Sequence, residues 1–310
     1  MTNRVWVLGD AVVDLIPDGE QHYLKCPGGA PANVAVGVAR LGGNSAFIGR
    51  VGTDPFGKFL SSVLQKEQVC VSQLHFDPTH HTSTVLVDLD DQGERSFTFL
   101  VQPSADLMLQ NEDLPEFATG EWLHFCSIAL LQEPSRSACR TAIDKIHQAG
   151  GLFSFDPNIR LDLWTDEQTL KVQLHRVLQY ADMVKLSIEE LAFLTGSSDL
   201  EVGVRQLQST FSIPLILVTL GADGVFVTYQ NESWLQASAK VQVVDTTGAG
   251  DAFVSGMLAG LAACGTSQWP DRERLQQIIK QAQICGALAT TARGAMTALP
   301  TMQQVAKMLS

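Results

Sequence analysis

Residues 245–253 read DTTGAGDAF. Three small residues, Gly248, Ala249 and Gly250, separate Thr247 from the carboxylate of Asp251, and AFVSGMLAGLAA follows at 252–263. That run has the make-up of a tightly packed helix. VQVVD (241–245) reads as a strand, so TTGAG is the predicted turn between them. Small residues let backbone N–H groups come close to a ligand, and a helix N-terminus adds partial positive charge. The stretch is therefore a candidate anion site with a carboxylate in its first turn. Helix capping would account for Asp251, but not for the three small residues before it. Phosphoryl transfer needs both parts: a cradle for the phosphate, and a base that takes the proton of the attacking hydroxyl.

Outward from this turn, short apolar runs alternate with helical patterns. Strands are predicted at 5–9, 45–51, 122–128, 152–156, 183–187, 215–220 and 224–229. Several are apolar at consecutive positions, as strands buried on both faces are. Helices are predicted at 31–41, 57–67, 135–149, 166–180, 188–195, 201–211, 249–263 and 273–291. Such alternation implies an α/β fold with a mostly parallel sheet covered on both faces. Two segments lack helical periodicity. Residues 11–26, and 82–101 with the turn DDQG (90–93), are predicted to form a small β-sheet lid inserted into one domain spanning 1–310.

The chain of 310 residues carries a net charge of −12. That sign disfavours nucleic acid and anionic lipid as partners. Six cysteines are scattered without a C-x-x-C pair, as expected of reduced thiols in a cytoplasmic protein. MTNRVWVLGD reads as a strand rather than a signal peptide, and no apolar stretch reaches the roughly 20 residues of a membrane helix. Three patterns are decoys. GTDPFGKF (52–59) approaches a Walker A loop, but Phe59 replaces the hydroxyl residue, Pro55 lacks an amide, and Asp54 places negative charge where phosphate would lie. GAGDAF ends in Phe253 where a dinucleotide fingerprint needs Gly, and it lies far from a first strand. Cys70, His75, His80 and His81 fit no zinc spacing, and the histidines read as solvated loop residues.

DTTGAGDAF together with GGAPANVA (28–35) resembles the ribokinase-like carbohydrate kinases, the PfkB family. The resemblance covers essentially the whole chain. It implies a three-layer α/β/α domain with a β lid, and transfer of the γ-phosphoryl of ATP to a sugar hydroxyl. It makes Asp251 the catalytic base and Gly248, Ala249 and Gly250 the anion hole. Asp14, Gly28, Gly29 and Asn33 are implied to bind the sugar. Thr219, Gly221 and Gly224, in TLGADG, are implied to form the nucleotide loop. KLSIEE (185–190) is similar to the family's N-x-x-E element around Mg²⁺, with Ser187 in place of Asn and Glu190 retained. The same run reads locally as a capping box, and the two readings are compatible. Asp245 and Thr247, with carbonyls of Ala289, Ala292 and Gly294, are implied to hold K⁺.

DPNIRLDLW (156–164), PSAD (103–106) and GERSFTF (93–99) are similar to bacterial fructokinases within that family. This implies fructose as acceptor, phosphorylated on O6. Arg160 offers fixed donors to hydroxyls or phosphate. Asp156, Asn158 and Lys185 are expected near the nucleotide phosphates. Phe97 and Phe99 share one face of a lid strand, where they are expected to cover a sugar ring or else to form the lid's own core or a lid-to-lid dimer contact. Aminoimidazole riboside is the alternative acceptor, with Phe99 as its stacking partner. A non-catalytic sugar sensor on the same fold is the alternative of another class.

Overall fold

A computed structural model describes residues 2–89, 95–230, 232–265 and 269–309. In chain order the elements are β1 (Arg4–Leu8), β2 (Val12–Pro17), β3 (Tyr23–Gly28), α1 (Ala30–Arg40), β4 (Asn44–Gly52), α2 (Pro55–Lys66), β5 (Cys70–Asp77), β6 (Thr84–Leu89) and β7 (Arg95–Phe99). There follow β8 (Trp122–Cys126), α3 (Ser135–Gln148), β9 (Leu152–Asp156), α4 (Glu167–Leu178), β10 (Met183–Ser187), α5 (Ile188–Thr195), α6 (Leu200–Thr210) and β11 (Leu215–Thr219). The chain closes with β12 (Val225–Tyr229), β13 (Glu232–Gln236), α7 (Ala249–Ala263), α8 (Arg272–Ala289) and α9 (Met302–Leu309).

The main sheet runs β13-β12-β11-β10-β9-β8-β1-β4-β5. It is parallel from β11 to β5, with β12 and β13 antiparallel at one edge. Strand alternation divides the core into two. Val5, Val7, Phe47, Leu215 and Leu217 face α1, α7 and α8. Trp6, Leu8, Ile48, Phe125, Ile216 and Val218 face α3, α4, α5 and α6. Each fully buried Leu, Ile or Phe removed from water contributes about 1.5–3 kcal/mol, so both faces stabilise the three layers. The lid is a second sheet, ordered β3-β2-β6-β7. Its central β2–β6 pair is parallel and its outer pairs antiparallel. Both predicted insertions contribute to it; the predicted turn at 90–93 lies outside the described residues.

The small residues of 252–263 have a packing role. Helix α7 is buried from Ala252 to Ala262. A Cβ on Gly37 of α1 would lie 2.2 Å from Ser255 Oγ, and one on Gly256 would lie 2.6 Å from the Ala282 Cα of α8. The helix thus sits close against both neighbours, and this fixes where its N-terminus points.

Three expectations change. Residues 241–245 are not a strand. β13 already forms the sheet edge, and the Val244 and Asp245 amides donate to the Thr290 carbonyl at 2.7 and 3.1 Å, outside any ladder. His75 belongs to β5 rather than to a loop, and His80 lies 3.1 Å from Asp77. The pattern reading also omits β5, β13 and α9. No cluster of metal-ligating side chains occurs among the described residues. The Walker A look-alike is the start of α2: Asp54 Oδ1 accepts from the amides of Phe56 and Gly57, and Pro55 opens the helix.

Candidate active site

Strands that run parallel leave their C-terminal ends on one rim, and ligands of open α/β sheets bind there. Two cavities occupy that rim. One, of about 220 Å³, is lined by Asp10, Asp14, Gly29, Asn33, Phe97, Phe99, Asp156, Asn158, Arg160, Lys185, Thr247, Gly248, Gly250 and Asp251. The other, of about 650 Å³, is lined by Thr219, Gly221, Gly224, Val243, Thr246, Ala249, Gly250, Phe253, Gly286 and Thr290. They share Gly250, in the first turn of α7. Asp251 lies on the side of the smaller cavity.

The turn before α7 is built as its composition requires. Gly248 has φ of 78°, and a Cβ there would lie 2.9 Å from the Ala295 Cα. First-turn amides have no partner within a helix, which leaves those of Gly250 and Asp251 for a ligand. The Ala249 amide is instead directed at the Thr246 carbonyl, at 3.2 Å. Ala249 therefore leaves the expected donor set and serves as cavity wall. A methyl on Gly250 would lie 3.2 Å from Lys185 Nζ, which places an ammonium beside the helix N-terminus.

Asp251 Oδ2 accepts a 2.8 Å hydrogen bond from Asn33 Nδ2. Asn33, expected on the sugar, thus orients the carboxylate. Its own Oδ1 is buried without a partner, and Asn33 lines the cavity, which leaves that oxygen as an acceptor for a donating ligand. Burial pushes the Asp251 carboxyl up to about 6, against the Asn33 bond and aided by Asp156. That lies close to the range in which a general base is effective. Lys185 Nζ is 3.0 Å from Asp156 Oδ2. Burial opposes its charge, but Asp156 and then Glu190 outweigh that and raise its pKa. Asp14, on lid strand β2, packs on Gly28, where a Cβ would fall 2.2 Å from its Oδ2. Gly29 has φ of 96° as the N-cap of α1.

The capping box is present: Ser187 Oγ accepts from the Glu190 amide, and Glu190 Oε2 from the Ser187 amide. Glu190 Oε1 accepts from the Ile159 amide. Burial and then Asp156 raise the Glu190 carboxyl. Asp10, Asp156, Glu190 and Asp251 together outnumber the cations Lys185 and Arg160. Such an excess of carboxyls fits a divalent cation that keeps most of its waters and is held through nucleotide phosphates. Asp245 Oδ1 accepts from Thr247 Oγ1 and its amide, and Oδ2 from the Gly294 amide. Ala289 ends α8, whose last carbonyls carry partial negative charge. One carboxylate among carbonyls and a hydroxyl suits a monovalent cation. Ala292 lies in the same loop, after Thr290.

Gly221 lines the larger cavity with φ of 58° and no atom within 4 Å of a would-be Cβ. Gly224, at φ of 112°, closes on the Gln236 carbonyl. Thr219 Oγ1 donates to the Leu186 carbonyl. Sequence reading missed Asp10 and most of the larger cavity's wall, including Val243, Phe253, Gly286 and Ala287. Those side chains are apolar or small and carry no pattern distinct from core.

Comparison with known proteins agrees with this geometry. The model of the pfkB family of carbohydrate kinases matches residues 2–302. A fructokinase from Salmonella typhimurium is 58% identical over 97% of this chain and 97% of its own. An aminoimidazole riboside kinase from Salmonella typhimurium is 42% identical over 99% of this chain and 95% of its own. The crystal structure of a fructokinase double mutant from Vibrio cholerae O395, bound to fructose, ADP and potassium ion, superposes with a TM-score of 0.94 at 53% identity, covering 100% of this chain and 99% of that one. With family model, relatives and structure in accord over its length, the chain belongs to the pfkB family of carbohydrate kinases.

Proposed function

We propose that the smaller cavity binds fructose, that the larger binds ATP, and that the γ-phosphoryl crosses at the N-terminus of α7 to the fructose O6. The chain is an ATP-dependent fructokinase. The observation that carries this reading is the junction itself: a buried carboxylate and a helix N-terminus stand where a cavity of sugar size and one of nucleotide size meet. Identity to fructokinases, at 58%, exceeds that to the aminoimidazole riboside kinase, at 42%.

Sugar hydroxyls donate to Asp14 and to Asn33 Oδ1, with Arg160 over the open side and Phe97 and Phe99 from β7 as the apolar cover. Asp251, held by Asn33, accepts the O6 proton as O6 attacks phosphorus. The Gly250 and Asp251 amides and Lys185 stabilise charge on the transferred group. Mg²⁺, when bound with the nucleotide near Glu190 and Asp156, supplies charge neutralisation for the phosphates. K⁺, held by Asp245, Thr247 and the carbonyls of Ala289, Ala292 and Gly294, would fix the shape of the loop under Gly248. Phe97 and Phe99 are in place to exclude water, the competing acceptor.

The whole chain acts as one catalytic unit. None of the six cysteines is joined in a disulfide, in keeping with a reducing compartment such as the cytoplasm. Tyr23, Leu24 and Leu100, each more than half exposed on the lid, support pairing with a second copy through that sheet. Phosphorus and carbon NMR of the product made from fructose and MgATP tests the activity, with aminoimidazole riboside run in parallel. Fructose 6-phosphate and ADP are expected, with the higher kcat/KM for fructose. No transfer to fructose, or a higher kcat/KM for the riboside, contradicts the assignment.

A further inference from the structure

Asp10 takes no part in the mechanism above, yet it lines the acceptor cavity. It follows β1, where the sheet reverses its order: β4 lies on one side of β1 and β8 on the other. That reversal is where open α/β sheets place their ligands. Asp10 is 4% exposed, and its Oδ1 has no hydrogen-bond partner. Behind it is a recess of about 20 Å³, lined also by Ser83, Phe99, Gln102, Ser104 and Asp106. Asp106 is 6% exposed and its Oδ1 is likewise without a partner. A recess of that volume admits one water or one hydroxyl group. Two buried acceptors facing so small a space are costly unless something donates to them.

A polyol is a ligand of that kind. Asp10 Oδ2 lies 3.0 Å from the position of a Cβ on Gly29, and Asn33, which holds Asp251, is four residues further along α1. Four residues of helix rise about 6 Å, a separation suited to two hydroxyls on one sugar. Both acids also stand near chain crossings between body and lid, after β1 and after β7. Asp106 ends PSAD, a run with no role in the chemistry. Burial raises both carboxyls, Asp10 to about 7 with the charge of Asp106 adding to it, and Asp106 to about 6 against the hydrogen bond it takes from Ser104.

We propose that Asp10 is a specificity-determining residue that accepts a hydrogen bond from one fructose hydroxyl other than O6, and that Asp106, across the recess, is a positioning residue that acts through the single water the recess admits, which donates to both carboxyls. The proposal rests on the fructokinase reading, so the wild-type protein is assayed with fructose first; absence of turnover overturns both. Steady-state kinetics then follow Asp10→Asn and Asp106→Asn with fructose and the 1-, 3- and 4-deoxyfructoses, alongside ATP binding by calorimetry. For Asp10→Asn the fructose KM is expected to rise about 10- to 100-fold, with ATP affinity within about twofold. One deoxyfructose should show no further loss in the variant, because the hydroxyl that Asp10 would accept is already absent. Asp106→Asn should give a smaller rise in KM, lost with the same analogue and not additive with the first. An unchanged fructose KM, or an equal penalty with all three analogues, overturns the proposal while leaving the kinase reading intact. Should Asp10→Asn fail to bind ATP, the analogue pattern of Asp106→Asn decides on the same terms.

Discussion

A carboxyl in open water is fully ionised well below neutral pH. Burial raises the pKa of Asp251 to about 6, with the Asn33 bond working against the rise and the charge of Asp156 adding to it. Only its ionised form can take the O6 proton. Since its pKa is raised, activity should be present above about pH 6 and fall as pH drops through it. A pH profile of kcat/KM with an acid limb near 6 is expected. The Asn33 bond lowers that pKa, so Asn33→Ala should move the limb to higher pH and reduce kcat/KM about 10- to 100-fold. The same profile checks both. The place of Asp251 in the first turn of α7 was legible because a carboxylate after three small residues is a local pattern. The Asn33–Asp251 bond was not, as it joins residues 218 apart in sequence. Asp10 was hidden for another reason: an Asp ending LGD looks like any polar residue after a strand, and only its burial and missing partner set it apart.

At the scale of elements, side-chain chemistry explains why one phosphate-loop look-alike is structural. Asp54 caps α2 through two amides and also accepts from the Thr82 amide and hydroxyl. Asp54→Ala should cost about 1–2 kcal/mol of stability and leave the ATP KM unchanged, as urea unfolding and initial rates would show. Gly28 is held by a different constraint. Ala there meets the Asp14 carboxylate, so Gly28→Ala should raise the fructose KM about tenfold or more while ATP binding persists. Most helices lie within two residues of their predicted bounds, since apolar periodicity and caps are local. The 241–245 run failed because alternation marks a strand only when a neighbour offers a free edge, and β13 had taken it. β5 and β13 were missed because each is only partly buried and mixes polar with apolar residues.

For the whole molecule, α7 links every part of the account. Its packing on α1 and α8 aims its N-terminus at the junction of the two cavities, and the Asp245–Gly294 bond ties the turn before it to the loop after α8. Replacing K⁺ by tetramethylammonium should lower kcat about tenfold with little change in fructose KM, and Asp245→Ala should abolish that cation response; initial rates in the two salts measure it. The three-layer fold was legible from alternating strands and helices, and the lid from two segments without helical period. Strand order and the meeting of cavities arise from long-range pairing and could not be read locally. The central claim is that Asp251 deprotonates the acceptor where the cavities meet. Asp251→Asn, assayed for fructose phosphorylation in a single turnover beside calorimetric ATP binding, tests it most directly. Transfer slowed by about 10²–10⁴ or more, with ATP affinity within about twofold, is the expected result; near-normal transfer would contradict it.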